Sequence, residues 1–298
     1  IASAVAAATL STGAMAESQT TVFGAVEVAF SSVDDGKSGF NDNGSTIGFA
    51  HEHSLSEGVT AFANVEFAFD VDDDNLGDDD EGGDTPLNGL DSVDTAFVGV
   101  KGDFGTVIYG VDDTVYDWVD VVDTGEVVGL GGGIADTKDH EFIQYVSPEI
   151  ADGVTVGVTV PVESDANFAG ALAAKYATED LEVVFAYAMS REEDGVDGND
   201  TIALGATYSM DDITVMGQYE MEDDVADYLA IQGAYAMGQN SFSLGYGLTS
   251  PDGNGDDTSE IFLQAMHNAS DNLSLYLEYE VQSDPDLDTL AVGTIYSF

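Results

Sequence analysis

The chain of 298 residues is 44% hydrophobic, contains no Cys, and sets 58 Asp and Glu against 5 Lys and Arg, a net charge of -53. So few bases exclude nucleic acid as a partner, since nothing would neutralise its phosphates, and exclude an anionic membrane surface on the same ground. So much acid marks a halophilic surface, because charges that repel over a Debye length of roughly 8 Å at physiological salt do so over only about 3 Å at 1 M.

In chain order, residues 1–16, IASAVAAATLSTGAMA, are small, apolar and uncharged. They end in Ala14-Met15-Ala16, the small-x-small pattern that precedes a signal-peptidase cut. The stretch reads as a remnant of a signal peptide, with one domain over 17–298; a buried N-terminal helix is the alternative. Beyond it no window is apolar for the 18 residues that a membrane-spanning helix requires.

From Glu17 onward the hydrophobic period is two, in segments of about ten residues, the length at which a tilted strand crosses a bilayer. Leu273, Leu275, Leu277, Tyr279 and Val281 fall on one face, with Ser274, Tyr276, Glu278, Glu280 and Gln282 on the other. Sixteen segments begin near Thr20, Thr46, Val59, Val93, Phe104, His140, Gly153, Phe168, Asp180, Asp200, Asp211, Ala226, Gln239, Thr258, Asn272 and Leu287. Connections alternate between short turns, such as 102–105 and 210–212, and long ones at 31–45, 70–92, 112–139, 190–199 and 250–257. That asymmetry belongs to an outer-membrane barrel, whose even strand count leaves both termini on the periplasmic side. A soluble all-β sandwich or barrel shares the alternation but buries its apolar face, and stays open as an alternative that would bind carbohydrate or Ca²⁺.

Two segments carry a family likeness. Ser45-Thr46-Ile47-Gly48-Phe49, followed by Gly58 and then Ala61 to Phe67 with Glu66, resembles the S-R-L-G-F, G-x-G-L, Q-x-E run of the general diffusion porins of Gram-negative bacteria. Asp94 to Gly102 with Phe104-Gly105-Thr106-Val107 and Tyr109-Gly110 is similar to that family's fourth and fifth strands and the tight turn between them. Val22-Phe23-Gly24, Tyr145-Val146-Ser147-Pro148 and a terminal Phe298 preceded by Leu290, Val292 and Tyr296 on one face add to the likeness. It implies an all-β, 16-stranded antiparallel transmembrane β-barrel in the bacterial outer membrane. It also implies a homotrimer, and a third extracellular loop, here Asp112 to Asp139, folded into the lumen. Glu126 with Gly129 and Gly131 to Gly133 is set against the family's P-E-F-G-G tip, without its Pro and Phe.

The family's ladder of bases on the pore wall is absent, since Ala25, Thr46, Asp94 and Gln144 or Val146 stand at its positions. Lys175 stands apart from the other bases. Acids take over the lumen parity at Glu27, Glu66, Asp94, Glu182, Glu220, Glu278 and Glu280, and the loop adds Asp112, Asp113, Asp117, Asp120, Asp123 and Glu126. Acidic rings select cations. The expected pore lining is therefore Glu27, Thr46, Glu66 and Asp94 on the wall with the six loop acids, in a passive channel for small hydrophilic solutes and cations. The bland reading is that these acids only hold water and counterions in brine.

Further chemistry is thin. No G-x-S-x-G or other catalytic constellation occurs, so no enzyme is expected. The acidic run 70–84 fits no Ca²⁺-loop register, nor do Asp252, Asn254 and Asp256; Ca²⁺ or Mg²⁺ would be held weakly and no cofactor is called for. His51 and His53 share a strand face but no third ligand is near in sequence.

Overall fold

A computed structural model describes residues 18–34, 36, 38–71, 92–122, 124–130, 134–135, 137, 141–162, 168–191, 198–253, 255–283 and 286–298. The signal-peptide remnant, Asp123, Gly131 to Gly133 and most of the acidic run 70–84 lie outside these residues.

The strands follow the alternation. They are β1 (Ser18–Val33), β2 (Ser38–Asp42), β3 (Thr46–Ser56), β4 (Val59–Ala68), β5 (Ser92–Gly102), β6 (Gly105–Val111), β7 (Phe142–Val146), β8 (Val154–Pro161) and β9 (Phe168–Ala177). There follow β10 (Leu181–Ser190), β11 (Thr201–Met210), β12 (Ile213–Glu222), β13 (Ala226–Met237), β14 (Asn240–Pro251), β15 (Thr258–Ser270), β16 (Leu273–Ser283) and β17 (Asp286–Ser297). Each pairs antiparallel with its neighbours, and β17 closes the sheet on β1 from Ala25↔Ser297 to Val33↔Thr289. Gly24 and Phe298 complete the seam with backbone bonds of 3.1 and 3.0 Å. The expected strand starts agree with the observed ones to within one or two residues.

Among the described residues the seventeen strands make sixteen staves. Both β2 and β3 pair with β1, at Val28 to Ser32 and at Ser18 to Ala25, so they are two halves of one stave. The break falls where Gly44 takes φ +92° and Asp42 Oδ2 accepts the amides of Gly44 at 2.9 Å and Ser45 at 3.0 Å. The long connection expected over 31–45 is therefore corrected: Ser31 and Ser32 pair with Gly39 and Ser38 in a hairpin. Its rim residues Phe30 and Phe40 pack edge to face at 5.2 Å.

The two faces differ as a membrane barrel requires. In β16, Leu275 and Leu277 are 45% and 47% exposed, whereas Tyr276 and Glu278 are buried. Phe185, Leu204, Leu229, Ile231, Leu244, Leu263 and Val292 continue the exposed apolar belt on neighbouring strands. Aromatic residues rim it at both ends. Tyr176, Tyr208, Tyr235, Phe242 and Tyr296 are exposed beside the short turns and the C-terminus. At the opposite end the hydroxyls of Tyr187, Tyr219 and Tyr279 donate to Asp200, to Asp227 at 2.9 Å and to Asp288 at 2.6 Å. Rings with an apolar body and a bonded hydroxyl suit the boundary between lipid and water. Among the described residues no helix is long and apolar enough to cross a membrane, so the strands do the crossing.

Candidate pore lining

The inner face is built from two kinds of residue. Small ones, Ala171, Ala173, Ala186, Ala188, Ala203 and Ala230, are buried there, together with polar Gln144, Thr159, Gln218, Glu220, Gln232, Gln264 and Glu278. What buries them is the segment that begins at Asp112, after β6, the fifth stave. It forms a short 3₁₀ turn over Tyr116–Val119 and packs Val115, Tyr116, Val119, Val122 and Leu130 at no more than 1% exposure. Val115, Tyr116 and Val119 join Phe168 and the alanines of β9 to β11, while Val122 and Leu130 join Met216, Tyr228 and Phe262.

Three glycines make the approach possible. A Cβ on Gly157 would lie 2.6 Å from Val115 Cγ1, one on Gly205 2.7 Å from the Val119 carbonyl oxygen, and one on Gly245 2.6 Å from Leu130 Cδ1. A mid-strand glycine weakens its strand and marks a close approach, so the inward parity of these three is a signal in the sequence that alternation arguments passed over.

Polar bonds fasten the same segment. Glu278 accepts the backbone amides of Glu126, Val127 and Val128 at 2.7, 2.9 and 3.2 Å, and the amide of Gln264 at 2.9 Å. Glu220 accepts the Tyr116 hydroxyl at 2.5 Å and the Ile134 amide at 3.1 Å. Gln232 donates to the Thr124 hydroxyl, Gln264 to the Thr124 carbonyl at 3.0 Å, and Val115 to Thr159 Oγ1 at 3.1 Å. Glu220 and Glu278 face inward as expected, but both are fully buried and hold the loop rather than meeting solution.

The expected lining residues divide by surroundings. Asp117 receives the Thr114 amide at 2.7 Å, the Thr114 hydroxyl at 2.9 Å and the Thr137 hydroxyl at 3.3 Å, so it shapes the loop's own turn. Asp120 accepts Gln218 Nε2 at 3.1 Å. Glu27 lies on the inner face of β1 with Glu126 and Asp42 as charged neighbours, and the Glu126 carbonyl takes Asn43 Nδ2 at 3.1 Å. Thr46 pairs with Ala25 and Ala68, and Glu66 with Gly48 and Thr95, all on that face. Asp94 departs from simple alternation: Glu66 pairs with Thr95 and Phe67 with Val93, which leaves Asp94 as the extra residue of a bulge. Its charge reaches Asp112, as do those of Asp113 and Asp117. Burial, reinforced by these carboxylates against an Asp113 backbone bond, pushes the Asp112 carboxyl up to about 6. Asp123 lies outside the described residues.

The bases on the wall are engaged. Lys101 pairs with Glu52 and sits 5.3 Å from the Phe62 ring. Lys175 is 3.8 Å from Glu182 and 5.0 Å from the Trp118 ring. His51 and His53 are on the outer side of β3, where His51 Nδ1 meets Thr20 Oγ1 at 2.8 Å.

The model of the Gram-negative porin family matches residues 2–287. The chain is a Gram-negative porin. It is therefore an outer-membrane channel protein and not an enzyme. The porin is 26% identical to the monosaccharide porin of a Halomonas species and to the major outer membrane protein of Halomonas elongata, in both cases across 100% of this chain and 99% of the relative. Its barrel superposes on Salmonella typhi OmpF, solved with daunomycin, at a TM-score of 0.76 and 17% identity, covering 94% and 98% of the two chains. Vibrio cholerae OmpT, expressed in the outer membrane, gives 0.75 at 16% identity over 98% and 100%. The same protein in its trimer form gives 0.73 at 16% over 94% and 99%.

Proposed function

We propose that this porin is a cation-preferring channel for small hydrophilic solutes, narrowed by the segment from Asp112 to Asp139. The observation that carries the reading is the imbalance of charge on the inner surface. Glu27, Glu66, Asp94, Asp112, Asp113 and Glu126 bring negative charge to the wall and the loop, whereas Lys101 and Lys175 are both paired with glutamates. Carboxylates on both sides of a narrow aqueous path raise the local concentration of cations and repel anions. Thr46 then contributes a neutral hydroxyl, and Ca²⁺ or Mg²⁺ would dwell only weakly among the acids. Asp117, Asp120 and Asp123 belong to the same loop, the first two chiefly as turn and anchoring groups.

The trimer form of the OmpT relative supports a homotrimer, with the seam strands β1 and β17, where Val22, Gly24 and Val26 face outward, as its interface. The monosaccharide porin relative supports sugars among the solutes. In a planar bilayer with a KCl gradient, the reversal potential is expected to sit toward the K⁺ equilibrium value and to move toward zero at multimolar salt, as screening shortens. A potential near zero already at low salt would overturn the cation preference.

A further inference from the structure

A second set of inward residues, where the β4 to β7 wall meets the start of the loop, forms a recess. Phe62, Phe97, Thr106, Ile108, Asp112, Gln144 and Val146 line about 230 Å³. At roughly 30 Å³ per liquid water, that volume equals about eight waters, enough for a compact organic solute. The cavity lies where β6 gives way to the loop, beside the path that the proposed channel provides.

Its walls are unusual for a pore of this acidity. Two aromatic rings face inward, Phe62 and Phe97, with centroids 5.9 Å apart and planes at 81°. Gly99 makes that arrangement possible, since a Cβ there would lie 2.6 Å from Phe62 Cζ and 2.9 Å from Ile108 Cγ2. The Phe62 ring already receives one ammonium, the Lys101 Nζ at 5.3 Å from its centroid. The polar groups are few and mostly engaged: Gln144 Oε1 accepts the Thr159 hydroxyl at 2.5 Å, and its Nε2 points to the Asp113 carbonyl at 3.5 Å. The one carboxylate that lines it is Asp112, which also accepts the Asp113 backbone amide, with Asp94, Asp113 and Asp117 adding to its field.

That combination discriminates between solute classes. A sugar needs several separate hydrogen-bond partners around its ring, and this cavity offers little beyond Asp112 and the Thr106 hydroxyl. Sodium keeps its water shell and gains little from phenyl faces. A cation whose charge is wrapped in methyl groups gains from both, because apolar surface leaves water and the ring faces attract the charge. We infer that the Phe62, Phe97 and Asp112 cavity is a transit subsite for small alkylated ammonium ions.

The inference rests on the channel reading, and one bilayer experiment separates the two. Tetramethylammonium chloride is titrated into NaCl at constant ionic strength while single-channel current is recorded. Wild-type protein is expected to show concentration-dependent current interruptions, whereas Phe97→Leu and Phe62→Leu, each scored against its own unblocked conductance, should need roughly fivefold more tetramethylammonium for half-block. Either leucine variant alone suffices if the other fails to form channels. Equal half-block concentrations in wild type and variant would overturn the subsite, as would glucose interrupting the current at the same concentrations. Absence of conductance in wild type would instead overturn the channel reading itself, and the subsite with it.

Discussion

Replacing Glu278 by Ala tests how the loop is held. The substitution leaves the β16 ladder intact but removes the acceptor of three loop amides, at Glu126, Val127 and Val128, and of Gln264 Nε2. Hydrogen bonds to a charged group contribute about 1.5–3 kcal/mol each, but water entering from the lumen recovers much of that once the loop lifts. A net loss of about 3 kcal/mol in docking is the reasonable expectation, and it shifts the ratio of released to docked loop by roughly a hundredfold. The release should be confined to the half around Thr124 to Leu130, because Tyr116 and Ile134 stay bonded to Glu220 and Val115 and Val119 stay packed on β9 to β11. Single-channel recording in 1 M KCl should show a higher conductance with increased current noise. Heat-induced unfolding of the barrel should move little, since the wall is held by its own backbone ladder. A conductance and noise level equal to wild type in a folded Glu278→Ala barrel would refute the anchoring argument.

The remaining expectations concern packing, pH and processing. Gly205→Val places a side chain against the Val119 carbonyl and should raise conductance by displacing the loop, whereas Gly233→Val, which meets nothing within 4 Å, should leave it unchanged; single-channel recording of the two variants checks the contrast. Because the Asp112 carboxyl sits at about 6, above its ordinary 3.8, the charge is present above that pH and is lost as pH falls through it. The strain of holding the charge is correspondingly felt above pH 6 and relieved toward pH 4. Cation preference, read from reversal potentials, should therefore fall between pH 7 and pH 5, and less steeply in Asp112→Asn; identical profiles would remove Asp112 from the conducting path. N-terminal sequencing of protein isolated from outer membranes should begin at Glu17, and an intact segment 1–16 there would rule out cleavage after Ala16.

Alternation carried the strands. Leu275 and Leu277 against Tyr276 and Glu278 specify two environments with a period of two; a soluble all-β fold shares that period, and the alternating lengths of the connections with the family likeness pointed to a membrane barrel. The length and composition of the connections added which end holds the termini. Within 31–45 the sequence does carry a turn signal, Asp35-Gly36, but the residues that pair beside it, Ser31 and Ser32 with Gly39 and Ser38, are small and polar and show no alternation. Nor could it place Asp94 in a bulge, since parity counts residues and a bulge changes the count.

The division of the acids was decided by tertiary structure. Glu220, Glu278 and Glu66 look alike on their strands, each an acid at inward parity. Only the loop's route across the interior makes the first two buried acceptors of backbone amides and leaves the third, on β4, outside those anchoring bonds. A carboxylate's role depends on which donors reach it, and the loop donors come from 86 to 152 residues away along the chain. Sequence determines the wall because each strand's two faces are set by its own residues; closure of the wall determines the pore because only then do distant residues share one interior.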